Sequence, residues 1–193
     1  KKGFSGDGDI AIQASLNEPY DVAVDELGNI YVADSGNNRI RKISADTGII
    51  STEVGNGVSG FSGDGNNPKL ASLDKPRGID FDSLGNLYIA DTENSRIRKV
   101  NSASEEITTI AGNGEENYEG NGVKAIESGL GLPESVTIDN HTGYIYVSGR
   151  RGGGNKRKIV KLIDDKNIIR NFAGTENGIK PQNCNVANQA EFS

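Results

Sequence analysis

At 25% charged and only 34% hydrophobic residues, with 26 glycines among 193 positions, the chain has a low apolar fraction for a compact globule. That balance suits short strands separated by Gly, Asn and Asp turns. A formal net charge of −6 argues against general nucleic-acid binding. No apolar run approaches membrane-spanning length, so no membrane insertion is expected.

The chain opens without a signal-peptide pattern and contains no Met, so Lys1 is expected to belong to a processed product or to a piece of something longer. Phe4-Ser5-Gly6-Asp7-Gly8 is a Gly-rich loop, followed by Ala11 to Leu16, which has room for a helical turn. Pro19 opens a strand-like run that ends at Asp25 before the turn to Gly28. Asn29 to Ile43 then reads as a β-hairpin. Ile30-Tyr31-Val32-Ala33 is β-branched and aromatic, Asp34 to Asn38 is turn chemistry, and Arg39-Ile40 starts the return. Ile40 and Ile43 fall on opposite faces unless a bulge intervenes.

The same elements return 57 positions later. Phe61 to Gly65 repeats Phe4 to Gly8, Pro76 and Pro133 repeat Pro19, and Asn86 to Val100 repeats Asn29 to Ile43. In the second copy four strands are predicted: Gly78 to Asp82, Asn86 to Asp91, Arg96 to Asn101 and Ile107 to Ala111. Tyr118 to Gly122 is a degraded third copy of the Gly-rich loop, and Ala125 to Leu130 has room for another helical turn. A four-stranded antiparallel sheet repeated in series predicts an all-β fold, a β-propeller with about three blades. The repeats run 19–75, 76–132 and 133–193, with 1–18 a connector from a preceding blade. Three blades do not close a ring alone, so the expectation is further blades outside the segment or a second copy of the chain.

The pattern P-x-G-I-D-F-D-x-x-G-N-L-Y-I-A-D-x-x-N-x-R-I-R-K-V, with I-T-T-I-A-G-N-G and G-F-S-G-D-G, resembles the NHL repeat, in the extended subtype with an FSGDG loop. The resemblance covers essentially the whole chain and is strongest over Pro19 to Gly65 and Pro76 to Gly114. It implies a propeller, commonly six-bladed, that acts as an interaction scaffold in a larger extracellular or cell-surface protein. Protein partners come first and carbohydrate second.

Candidate residues fall into several sets. Asp34 with Arg39, and Asp91 with Arg96, flank the hairpin tips and read as Asp–Arg latches. Gly28 and Gly85 shape the first turn, together with Asp25, Asp82 and Asp139, which recur in every copy. Asp80 has no acidic counterpart, being matched by Ala23 and Thr137, and is expected to face the central channel or a neighbouring blade. The third copy breaks the pattern. Gly149 replaces the tip Asp, and the tip swells to Lys158, with Arg150, Arg151, Lys156, Arg157 and Lys158 as an anion-binding candidate against a mobile solvated loop. Asp7, Asp9 and Asp64 offer oxygen ligands that calcium takes, without the carboxylate count of an EF-hand; no other cofactor is expected. Asn140-His141-Thr142 is a glycosylation sequon.

Cys184 is the single cysteine and reads as a free thiol or as half of a bridge to a residue outside the segment. His141 is the single histidine, so no zinc set or nucleophile–base pair can be assembled, and the chain is expected not to be an enzyme. The alternatives are a gluconolactonase-like metal-dependent hydrolase, whose channel ligands find no match here, and a structural spacer in a filament or surface assembly. The related amidating lyases need His ligands that this segment lacks.

Overall fold

A computed structural model describes residues 3–117, 120–151 and 158–174. Tyr118, Lys156, Arg157, Cys184 and the end of the third repeat lie outside the described residues.

Thirteen strands are described. The first sheet holds β1 (Pro19–Val24), β2 (Ile30–Asp34), β3 (Arg39–Ile43) and β4 (Ile50–Val54), antiparallel and in chain order. The second holds β5 (Pro76–Phe81), β6 (Leu87–Asp91), β7 (Arg96–Val100) and β8 (Ile107–Ala111) in the same order. The third holds β10 (Leu132–Asp139), β11 (Tyr144–Arg150), β12 (Lys158–Ile163) and β13 (Ile168–Ala173), with the short β9 (Val123–Lys124) added beside β13. Predicted and observed strands of the second repeat agree to within two residues. The expected helical turns are single 3-10 turns, Ala11–Gln13 and Ala125–Glu127.

Each sheet is a blade, and β1, β5 and β10 lie side by side as its hub strands. The doubtful phase of Ile40 and Ile43 is resolved by a bulge on the outer strand. Ile40 pairs with Val54 but Arg41 with Thr52, so Glu53 is the extra residue. The bulge recurs at Ile110 and Phe172.

Blades pack face to face because their central strands are apolar on both sides. Tyr31, Ala33, Ile40 and Val54 of the first blade meet Ile79, Leu87, Ile89 and Ile107 of the second. Tyr88, Ala90, Ile97 and Ala111 of the second meet Val136, Ile138, Ile145 and Ile163 of the third. Each large aliphatic side chain buried this way contributes roughly 1.5–3 kcal/mol.

The first connector clips onto the outer strand of the first blade, where Gly8 N–H donates to Ile50 O at 2.9 Å and Ile50 N–H to Asp9 O at 3.0 Å. Gly65 and Asn66 bond Ile107 in the same way in the second blade, and β9 does so in the third. Each Gly-rich loop therefore covers the outer edge of the blade it leads into, an edge that would otherwise present unpaired backbone groups.

Candidate functional site

Antiparallel register brings the start of each hub strand, the tip between its second and third strands, and the end of its fourth strand to one pole: Pro19 pairs with Asp34, Asp34 with Arg39, and Ile40 with Val54. Most of the charged residues singled out above lie at this pole or in the loops clipped beside it.

The tip aspartates are keystones, but their partner is not the expected one. Asp34 is fully buried and accepts from the Asn17 N–H at 2.7 Å and the Asn37 side chain at 2.8 Å. Its cation is Arg41, at 3.5 Å, not Arg39. Asp91 repeats the set with Asp74 N–H, Asn94 and Arg98 at 3.3 Å. Burial pushes the Asp91 carboxyl up to about 6, against the pull of those donors. Arg39 instead donates to the carbonyls of Asn37 and Asn56, and Arg96 to those of Asn94 and Asn113. They tie each tip to the connector leaving the blade.

The Gly-rich loops close over the buried arginines. Asp7 holds Arg41 at 2.6 Å and also accepts from the Thr52 hydroxyl, while Asp64 holds Arg98 at 2.8 Å. Phe4 lies 3.9 Å from the Arg39 guanidinium and 4.7 Å from that of Arg41, and Phe61 covers Arg96 and Arg98 likewise. Asp7 and Asp64, two of the calcium candidates, thus each hold an arginine. Asp9 offers its backbone to Ile50.

Arg41 and Arg98, both wholly buried, are the residues that sequence reasoning missed. A signal was present: Asp7 precedes Arg41, and Asp64 precedes Arg98, by the same 34 positions. In the third blade Lys161 stands in the arginine's place and donates to Gly120 O at 3.1 Å, while Gly149 and Asn121 replace the two acids.

The turn at the opposite pole is built on Gly28 and Gly85 with Asp25 and Asp82. Gly28 and Gly85 have φ of +82° and +76°, which an L side chain resists. Asp25 accepts from the N–H groups of Leu27 and Asn29, and Asp82 from those of Leu84 and Asn86. Despite desolvation, which acts upward, the side-chain amides of Asn29 and Asn86 together with these backbone donors hold both carboxyls below the usual aspartate value. Asp80 reaches the neighbouring blade, accepting from Ile138 N–H at 2.9 Å. Asp21 does the same for Ile79 N–H at 3.0 Å. Asn140 of the sequon is exposed, and its side-chain oxygen accepts from Ser83 N–H.

Only the two ends of the basic tip lie among the described residues. Arg150 closes strand β11 and is held by Glu134, its Nε 3.0 Å from Oε1; Lys158 opens β12. Arg77 donates to the same Glu134 oxygen, and its guanidinium lies 4.9 Å from the Tyr20 ring. Tyr20, Arg77 and Glu134 are equivalent positions of the three hub strands, each directly after the repeated proline. A row of unlike side chains, Tyr–Arg–Glu with Arg150 added, thus crosses the hub pole.

Three sheets of this order, stacked around adjacent hub strands, define a β-propeller. The NHL repeat family model matches residues 16–43 and 73–100, so the chain carries NHL repeats, and its fold is the β-propeller. Protein SUPPRESSOR OF QUENCHING 1, chloroplastic, of Arabidopsis thaliana is 38% identical over 96 residues, which is 49% of this chain and 9% of that protein. NHL repeat-containing protein 2 of Gallus gallus is 33% identical over 124 residues, or 63% of this chain and 16% of that one. The chain thus spans less than a fifth of either curated relative.

Among solved structures, the chain aligns with a nidogen/laminin complex with a TM-score of 0.57 at 17% identity, covering 83% of this chain and 51% of that one. It aligns with a putative gluconolactonase with a TM-score of 0.55 at 15% identity, covering 89% and 50%. At such identity these likenesses speak to fold alone.

Proposed function

We propose that the chain is part of a non-enzymatic, protein-binding NHL propeller, with the hub pole as its contact surface. One observation carries this reading. The charged residues that repeat from blade to blade are spent on one another: buried Asp34 and Asp91, with Asp7 and Asp64 at the surface, hold the buried Arg41 and Arg98. The side chains that break the repeat, Tyr20, Arg77, Glu134 and Arg150, gather at one pole. A residue that differs at equivalent positions is not required to build a blade, and is free to recognise something else.

The ring is completed by further blades of the same kind. In support, Val22 and Ile30 on the open face of the first blade are 62% and 40% exposed, whereas their counterparts Ile79 and Leu87 are 4% and 3% exposed under the neighbouring blade. The exposed sequon at Asn140 supports an extracellular or cell-surface setting.

The test against a hydrolase is direct. The full-length protein is incubated with a panel of lactones, with and without calcium, zinc or manganese. The scaffold reading expects rates equal to buffer with metal. Turnover that depends on a divalent ion and disappears with chelator would overturn it.

A further inference from the structure

We infer that the hub pole carries a carboxylate-recognition site built from Arg77 and Arg150, which takes an acidic segment of a protein partner; this rests on the scaffold reading above.

Both arginines stand where the fold asks for something else. Arg150 occupies the position of Ser35 and Thr92, small hydroxyl residues buried in the first two tips. There Thr92 bonds to Pro133 O of the next blade at 2.6 Å. Arg77 occupies the position of Tyr20 and Glu134. The pole therefore needs neither arginine to form.

Their charge is also incompletely matched. Two guanidinium groups share a single carboxylate oxygen, Oε1 of Glu134. The pair retains an excess positive charge on a protein whose total is −6. Each guanidinium has five N–H donors in a planar fork suited to carboxylates, so most of its donors remain after one contact to Glu134. The side chains are part-open, Arg77 at 20% and Arg150 at 37%, so the field is less screened than on a flat surface yet reachable.

The geometry beneath is fixed. Hub strands β5 and β10 run so close at Gly78 that a Cβ there would sit 2.5 Å from Ser135 Cα. That close approach sets Arg77 beside Glu134. Tyr20, 53% exposed and stacked on Arg77, supplies an aromatic wall on the other side. An incoming carboxylate would bridge the two guanidinium groups opposite Glu134, with the attached chain lying on Tyr20. Phosphate shares the charge but has no chain to lay on the ring.

The experiment uses the full chain and a fluorescein-labelled hexaglutamate peptide, with hexalysine and inorganic phosphate as comparisons. Anisotropy should show saturable hexaglutamate binding that weakens with added salt. Arg77→Gln and Arg150→Gln should each weaken it roughly tenfold, a change of about 1.4 kcal/mol. Glu134→Gln should tighten it several-fold, because the competing carboxylate is gone. A purely structural Glu134 would not do this.

Thermal unfolding of each variant confirms that the fold is kept. No hexaglutamate binding, binding indifferent to both arginine substitutions, or phosphate competing as well as the peptide would each overturn the site. Lactone turnover together with intact hexaglutamate binding would sink the scaffold reading and leave this site standing. No turnover and no hexaglutamate binding would sink the site alone.

Discussion

Replacing Arg98 with Met tests whether the buried arginine is the keystone of its blade. The Arg98 guanidinium is wholly buried and reaches Asp91 at 3.3 Å, Asp64 at 2.8 Å and Ser62 O at 3.1 Å. Methionine fills much of the space but leaves Asp91 buried without its cation. Removing one member of a buried pair typically costs about 3–5 kcal/mol, because the remaining charge is uncompensated. Loss of the bond to the partly exposed Asp64 adds less. Against a total of roughly 5–15 kcal/mol for a domain, the loss should move the urea midpoint markedly. Arg98→Met with Asp91→Asn removes the stranded charge and should recover about 1–3 kcal/mol of coupling. The two single variants and the double variant are compared by urea titration at pH 7. A loss below about 1 kcal/mol for Arg98→Met, or a double variant no better than the single, would refute the keystone argument.

Other outcomes follow from the same geometry. Asp7→Ala should release the first connector, and hydrogen exchange should speed at least several-fold at Gly8 and Ile50 while the amides of β2 keep their protection. Gly78→Ala should cost about 1–3 kcal/mol, since β5 and β10 must separate to admit the methyl group; calorimetry of the variant measures it. Carboxyl NMR should place Asp82 below and Asp91 above the ordinary aspartate value, the latter near 6. The linkage signs are then opposite. Asp82, depressed on folding, adds stability above its unfolded value that is lost as pH falls through the folded one. Asp91, raised on folding, favours the fold at low pH, and that advantage is lost as pH rises from about 4 through 6.

Much of the fold was legible because the repeat is arithmetic. Pro19, Pro76 and Pro133 set the phase, and β-branched runs between Gly and Asx turns located the strands. The turn roles of Gly28 and Gly85 could be read because positive φ leaves few choices. Pairings between distant segments were harder. Asp34 sits opposite Arg39 in register, which is the pairing local spacing suggests, yet the side chain that turns inward is Arg41, two residues on. Burying a guanidinium runs against the usual preference for surface charge, and it holds here only because two acids and backbone carbonyls converge on it. Arg150 was legible as an oddity, but its contact with Glu134 depends on how β10 and β11 register across the third blade.

Positions that repeat hold the blades, and positions that diverge are proposed to meet a partner. Hydrogen exchange of the full chain with and without saturating hexaglutamate tests that division most directly. New protection is expected around 76–79, 132–136 and 148–151, with the turns at 25–29 and 45–48 unchanged. Protection at those distal turns, or spread evenly over all three Gly-rich connectors, would contradict it.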